Sequence, residues 1–309
     1  MTSSEPASSE LVSYLRNVLL DLSAHPYPVI PTPPSVKKRA SVAVIVRIQP
    51  HYSHWPTQDS ASLPSDPSER VNAFFDQDWV SHGDPEVLFI KRATREGDKW
   101  NGHVALPGGR RDPEDEDDLA TAVRETREEV GIDLETLFAN GKAVACGNLP
   151  QRVVTTSWGR VPLMVLCPYL FLVTSPSIPP LKLQPTEVAS THWVSLRALL
   201  SPAMRTVEYQ DVSNRFVWSN IGWSRLLLKT MLGDMTFAAV KLLPSESLYC
   251  SSIEGFVPTG KPTPSLSTRV SQYLRPSQRP KQKQLLLWGL TLGIMADFLD
   301  MLPPHNALR

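Results

Sequence analysis

Residues 108–132 read GGRRDPEDEDDLATAVRETREEVGI, and the fold turns on how this stretch is taken. Leu119, Ala122, Val123, Thr126 and Val130 recur at helical spacing and predict a helix over 117–130 with one face toward a core. Glu125, Glu128 and Glu129 stand at i, i+3 and i+4, so three carboxylates share one outward stripe. Like charges at that spacing repel, which suits the stripe to a cation. Oxygen-only ligands favour hard ions such as Mg²⁺ or Mn²⁺, which also bridge phosphates. A solvated acidic face is the other reading of the same residues. Gly108 and Gly109 let the backbone turn sharply and approach a ligand. Gly131 can take the left-handed conformation that ends a helix. The acids at 114–118 read as loop and helix-start decoration, where negative charge is favourable. Arg124 and Arg127 can partner nearby acids at i,i+4.

Outward from this stretch, short apolar runs alternate with helical ones. Strands are expected over 40–48 (ASVAVIVRI), 87–92 (VLFIKR) and 104–106, the last running into Pro107, Gly108 and Gly109. Residues 161–173 (VPLMVLCPYLFLV) hold one or two strands, with Pro168 expected to put the middle at an edge or bulge. A short strand at 192–194 and a helix at 196–200 follow. The alternation predicts an α/β or α+β core. At the other end of the chain, Leu11, Leu15, Val18, Leu19 and Leu22 make one helical stripe over 9–23, which a proline cluster from Pro26 stops. Residues 49–83, rich in Pro, Ser, Asp and His, read as a long insertion. Beyond 201 we expect a helix at 220–233, a Pro/Ser-rich stretch at 257–280 and an apolar helix at 284–302. The last should bury Leu286, Leu290, Met295, Phe298, Leu299 and Leu302. The expected organisation is an N-terminal helix and linker (1–38), a core (39–201) and a helical C-terminal extension packed on it (202–309).

Composition narrows the function. Among 309 residues, 31 Lys and Arg balance 31 Asp and Glu. A formal charge of zero argues against a general binder of nucleic acid or anionic membranes. Apolar residues at 41% and charged residues at 20% are ordinary for a globular protein. The 29 prolines are roughly twice the usual share and imply long loops. Cys146, Cys167 and Cys250 leave one odd thiol and form no C-x-x-C pair. Neither a disulfide framework nor a cysteine zinc site is expected, and a reducing compartment fits. The opening MTSSEPASSE has no basic region or early arginine, and the chain's last residues do not form a peroxisomal tail. An intracellular, cytoplasmic protein is the default expectation. Asp297 and Asp300 interrupt the apolar run at 284–302, which suits a buried or interfacial helix better than a membrane span.

The 108–132 stretch resembles the Nudix box, G-x5-E-x7-R-E-U-x-E-E-x-G-U, where U is a bulky aliphatic residue. Arg124 through Ile132 match its second half, with Thr126 at a U position, and Glu116 matches the first glutamate. Six residues rather than five separate Gly109 from Glu116, so the loop is one residue longer. The resemblance implies a Nudix-type α/β/α sandwich with a mixed sheet. It implies metal-dependent hydrolysis of a nucleoside diphosphate linked to another moiety. It implies Mg²⁺ or Mn²⁺ held by Glu125, Glu128 and Glu129, with Glu125 among the catalytic carboxylates and Arg124 orienting a glutamate. A further glutamate from outside the box, Glu187, is expected to join them, and Gly108 and Gly109 to border the substrate.

The flanks look like the coenzyme A diphosphatase branch. Residues 88–93 resemble its L-L-T-x-R-[SA] element, and 102–109 its G-x3-F-P-G-G element with Leu106 for phenylalanine. Asp98 stands where that branch carries an arginine. Gly109, Arg110, Arg111, Asp112 and Pro113 echo its extended loop. Trp288, Gly289, Leu290 and Thr291 look like its late W-G-x-T helix. This resemblance implies cleavage of coenzyme A to 3′,5′-ADP and 4′-phosphopantetheine, with Arg92, Arg110 and Arg111 as cations for the 3′-phosphate. ADP-ribose, NADH and dinucleoside polyphosphates are the alternative substrates, and a non-catalytic binding module is the alternative class. The expected partner is a small-molecule nucleotide, with neither nucleic acid nor a membrane involved. A lone histidine is by default a structural residue, so His103 is read that way. Trp158, Trp193, Trp218, Trp223 and Trp288 are read as buried aromatics before adenine platforms.

Overall fold

A run of small and β-branched residues with almost no polar interruption makes β1 (Arg39–Gln49), and its near-continuous burial puts it inside the sheet. The computed structural model describes residues 8–36, 38–56, 64, 66–94, 102–155, 161–211, 234–250 and 285–303. β1 pairs antiparallel with β2 (Asp84–Arg92) and parallel with β7 (Pro162–Val173). Outward from β2 come β8 (Val188–Ser195), which runs straight into α6 (Leu196–Leu200), and then β11 (Pro244–Tyr249); outward from β7 comes β5 (Ala143–Asn148). Three short strands complete the mixed sheet: β3 (Val104–Ala105) on β2, β4 (Gly108–Arg110) on β1, and β6 (Arg152–Thr155) on β7.

Alternate side chains of these strands feed two cores. On one face Ala43, Ile45, Leu88, Ile90 and Phe171 pack with Ala122, Val123 and Val130 of α4 (Asp118–Val130) and Leu134 of α5 (Leu134–Ala139). On the other face Val44, Val46, Phe89, Leu170 and Leu172 pack with α1 (Ser8–Ala24), α2 (Pro67–Phe75) and α7 (Gly289–Leu299). Helices therefore cover both faces of a mixed sheet, the α/β/α arrangement expected. The N-terminal stripe buries Leu11, Leu15, Leu19 and Leu22, while Val18 stays half-buried.

Several expectations need correction. Pro168 lies neither on an edge nor in a separate strand: β7 is continuous and interior, with β1 on one side and β5 and β6 on the other. Along β7 the pairing passes from β5, whose Asn148 is opposite Tyr169, to β6, whose Arg152 is opposite Leu166, so the missing N–H of Pro168 falls in the gap between the two partners. The Pro168 carbonyl accepts from the N–H of Leu149 there. The 49–83 stretch is more than an insertion loop. It carries α2, capped by Asp66, and α3 (Asp78–Ser81), and drives Val71, Phe74 and Val80 into the core.

The expected C-terminal helix is present as α7, but the extension also carries strands that the sequence reading did not place. Strands β9 (Arg205–Asp211), β10 (Asp234–Lys241) and β12 (Leu286–Trp288) form a second, antiparallel sheet, and β11 extends the first. The proposed helix at 220–233, the stretch at 257–280, Asp98, Trp158, Trp218 and Trp223 lie outside the described residues. On α7 and its flanks Leu287, Ile294, Met295, Phe298, Leu299 and Leu302 are buried. Leu290 is exposed and Leu286 only half-buried, against expectation, because the helix lays one side on the core and leaves its first turn at the surface. An Arg152–Asp297 ion pair ties the helix to β6. Among the described residues no helix is long and apolar enough to cross a membrane.

On β8, His192 is fully buried, its ring nitrogens each 2.8 Å from a hydroxyl, those of Ser190 and Ser247. Burial pushes its pKa down to about 4, so near neutral pH it joins β8 to β11 as an uncharged ring.

Candidate active site

Strand β4 and helix α4 carry the two halves of the 108–132 stretch and hold them face to face. Asp117 caps α4 by accepting the Ala120 N–H at 2.7 Å. Gly131 closes it in the left-handed region at φ 76°, where a side chain would be strained. Thr126 sits fully buried at the aliphatic position of the box because its hydroxyl donates back to the Ala122 carbonyl at 2.7 Å.

The glycines work by close approach. The Gly108 N–H donates to the Glu129 carboxylate at 2.9 Å. Gly109 passes so near Glu125 that a Cβ added there would lie 2.2 Å from its Oε1. Any other residue at 109 would displace that carboxylate.

The three glutamates are not equivalent. Glu129 is 2% exposed, so it is not the surface carboxylate its place on the stripe implies. Burial pushes its pKa up to about 8; the Gly108 N–H opposes the shift and the charges of Glu125 and Glu187 add to it. Glu125 is raised as well, first by burial, against the stabilising guanidinium of Arg124. The Glu128 side chain is 52% exposed. Burial thus grades the stripe from inside to outside, which the spacing could not reveal.

Arg124 is the hub. Its Nε and Nη2 fork onto Asp115 at 2.9 and 3.0 Å, its Nη1 reaches Glu125 and Glu128 at 3.1 Å each, and Nη2 also donates to the Arg110 carbonyl. These bonds hold Asp115 well below the usual carboxylate range and raise Arg124 further. Asp115 is the member of this network that the sequence reading missed. Among five adjacent acids nothing local marks the one that pairs with an arginine nine positions on. Asp118, from the same run, is buried and paired with Arg39 at 2.6 Å; burial would raise its pKa, but the Arg39 bonds outweigh this and leave it lowered.

Glu187 stands on the turn into β8, its carbonyl accepting from Ala93 and its N–H donating to Gln184. Its charge is felt by both Glu125 and Glu129, so the tertiary fold brings it to the stripe. Glu116 is exposed, and its carbonyl accepts from Arg111 at 2.6 Å.

Beside β4 opens a cavity of about 300 Å³. Gly109, Arg110 and Arg92 line it, with His103 and Trp288. Arg111 is not among its lining: its guanidinium goes to Asp118 at 3.4 Å and to the carbonyls of Asp115 and Glu116. His103, read as structural, proves to be a cavity-wall residue, 4.8 Å from Trp288 between ring centres. Trp193 is buried as expected, under the Arg47 guanidinium.

The donor set can be tested against the divalent cation that the box implies. Glu125 and Glu129 are carboxylates whose ionised forms are disfavoured by burial and mutual repulsion, and a cation relieves both. In charge and ligand type the residues fit a hard divalent ion. Among the described residues no three acidic, histidine or cysteine side chains already converge on one point. Arg124 draws Glu125 and Glu128 to itself instead.

A NUDIX domain model matches residues 79–216. An uncharacterized protein of Schizosaccharomyces pombe is 33% identical over 278 residues, which cover 89% of this chain and 69% of that one. The mitochondrial coenzyme A diphosphatase of Mus musculus is 42% identical over 52 residues, 17% of this chain and 25% of the relative. An uncharacterized Nudix hydrolase of Yersinia pestis is 37% identical over 83 residues, 27% of this chain and 41% of the relative. The last two matches thus span well under half of those relatives' own length. Among solved structures, a Nudix hydrolase from M. smegmatis, RenU, is similar at 16% identity and a TM-score of 0.32, covering 52% of this chain and 72% of that one. With the box, the α/β/α sheet and the domain match together, the chain carries a Nudix domain.

Proposed function

We propose that the chain hydrolyses the diphosphate of a nucleoside diphosphate linked to another moiety, and that coenzyme A is its substrate. The observation that carries the hydrolase reading is the coupling of both loop glycines to both inner glutamates, Gly108 to Glu129 and Gly109 to Glu125. It sets a backbone that can border a diphosphate directly against carboxylates suited to a cation. Mg²⁺ or Mn²⁺, when bound by Glu125, Glu128 and Glu129, neutralises diphosphate charge and lowers the pKa of a nearby water. Arg124, bonded to both Glu125 and Glu128, is the residue we assign to orient them. Glu187, close enough to sense both inner glutamates, is the carboxylate we assign to take the proton from the attacking water.

Coenzyme A is favoured over other such diphosphates by two observations. The 52-residue match is to a coenzyme A diphosphatase, and two arginines line the cavity beside the glycine loop. Arginine suits a terminal phosphate because its planar fork bonds it bidentately. Arg92 and Arg110 are therefore the assigned contacts to the 3′-phosphate, and Arg111 the brace of the loop.

The test is hydrolysis of coenzyme A, dephospho-coenzyme A, ADP-ribose, NADH and diadenosine polyphosphates with Mg²⁺. Coenzyme A should be preferred, and Arg92→Ala or Arg110→Ala should reduce that preference over dephospho-coenzyme A by about 10- to 100-fold, the worth of a hydrogen bond to a charged group. Turnover of ADP-ribose but not coenzyme A would keep the chemistry and reject the substrate. No turnover of any of the five would reject the hydrolase reading.

Gly109→Ala offers a check on the loop. Its methyl group would push the Glu125 carboxylate aside, and a misplacement of about 1 Å costs on the order of 10²-fold in rate. We expect such a loss in kcat with a cooperative thermal unfolding transition retained. Wild-type turnover would mean that the Gly109–Glu125 approach is incidental.

A further inference from the structure

The cavity beside the glycine loop is lined in part by residues from the far end of the chain. Trp288 to Thr291, where β12 passes into α7, share its lining with Gly109 and Arg110. Whatever fills the cavity therefore lies next to the Gly109–Glu125 contact and touches the C-terminal extension as well.

The lining has a definite chemistry. Among the described residues that line it, Arg92, Arg110 and His103 are the ionisable side chains, and none is acidic. Val104, Met164 and Leu290 make it apolar elsewhere. The Trp288 indole is half-buried. Its ring neighbours among the described residues are tilted, His103 at 59° with centroids 4.8 Å apart and Phe237 at 49° with centroids 5.5 Å apart, so neither of these is stacked flat on it. A planar aromatic ring carrying negative charge at its periphery satisfies the whole set: the ring on the indole, the charge on the arginines. A flexible aliphatic chain would use the apolar surface but neither the indole face nor the cations.

We infer that this cavity takes the nucleoside half of the substrate, with Trp288 as the specificity-determining residue on which the base stacks. The C-terminal extension then completes the substrate site instead of serving only as packing. The inference rests on the hydrolase reading for the position of the diphosphate, and it deepens that reading by saying which half of the substrate lies where.

The experiment uses the full chain with Mg²⁺ and two probes, adenosine 3′,5′-bisphosphate and inorganic pyrophosphate, with binding measured by calorimetry. Trp288→Phe keeps an aromatic face and Trp288→Leu keeps apolar volume without one. Base stacking on an aromatic is worth roughly 5- to 150-fold in affinity. Trp288→Leu should therefore weaken the bisphosphate by about tenfold or more relative to Trp288→Phe, with pyrophosphate affinity alike in both. Equal bisphosphate affinity in the two variants would overturn the inference, as would a parallel loss of pyrophosphate in Trp288→Leu. Thermal unfolding of both variants checks that they share one fold. The readings are separable: a wild type that cleaves coenzyme A while the two variants bind alike refutes only the stacking role. A wild type that cleaves no diphosphate while the variants differ as stated refutes only the hydrolase.

Discussion

Glu129→Gln should lower kcat by on the order of 10²-fold or more, the scale of losing several kcal/mol of metal stabilisation, while the protein still unfolds cooperatively. The reason lies in where the residue sits. Glu129 is buried, its pKa is raised to about 8 by burial, and it accepts the Gly108 N–H. A glutamine has nearly the same volume, and its amide oxygen can still accept that N–H. It reproduces the neutral form that burial favours, so the fold should tolerate it. What it cannot supply is negative charge at the innermost point of the stripe. Glu128→Gln, at the half-exposed end, should cost less, because water screens the charge it removes. Steady-state kinetics with Mg²⁺ and thermal unfolding of the two variants check the ranking. Near-wild-type turnover in Glu129→Gln would remove this residue from the metal assignment.

Truncation after Lys283 should leave a chain that aggregates or unfolds without cooperativity. The lost segment contributes Leu287, Ile294, Met295, Phe298, Leu299 and Leu302, all buried in the same core as α1. Each is worth roughly 1.5–3 kcal/mol of burial, and a whole domain is stable by only about 5–15 kcal/mol. The truncation would also strip β12 from β10 and remove the Arg152–Asp297 tie. Size-exclusion chromatography and calorimetry of the truncated chain decide the matter. A monodisperse fragment with a sharp transition would show the segment to be separable, and the core energetics argued above would fail.

The residues that could be read from sequence were those whose signal is local. Helix α4 was legible because its apolar spacing, its start at Asp117 and its closing glycine all lie within fifteen residues of one another. Strand β1 was legible because β-branched burial on both faces leaves an uninterrupted apolar run. The glycines were expected to approach a ligand; that they also lie against Glu129 and Glu125 is a contact between two elements that spacing does not show. Proline misled at 168 because its cost in a strand depends on whether a neighbour needs that N–H, and the handover from β5 to β6 is a fact about pairing.

By itself, then, the sequence determined an α/β or α+β core and the carboxylate stripe, which follow from spacing along single elements, while the α/β/α sandwich was what the resemblance to the Nudix box implied. The tertiary structure alone decided the rest. It graded Glu125, Glu128 and Glu129 by burial and picked Asp115 out of an acidic run to anchor Arg124. It sent Arg111 to Asp118 while Arg92 and Arg110 line the cavity. It also set Trp288 beside His103 across 185 positions of chain. Burial, charge pairing and cavity shape depend on which elements meet, and residues far apart in sequence meet only when the sheet has formed.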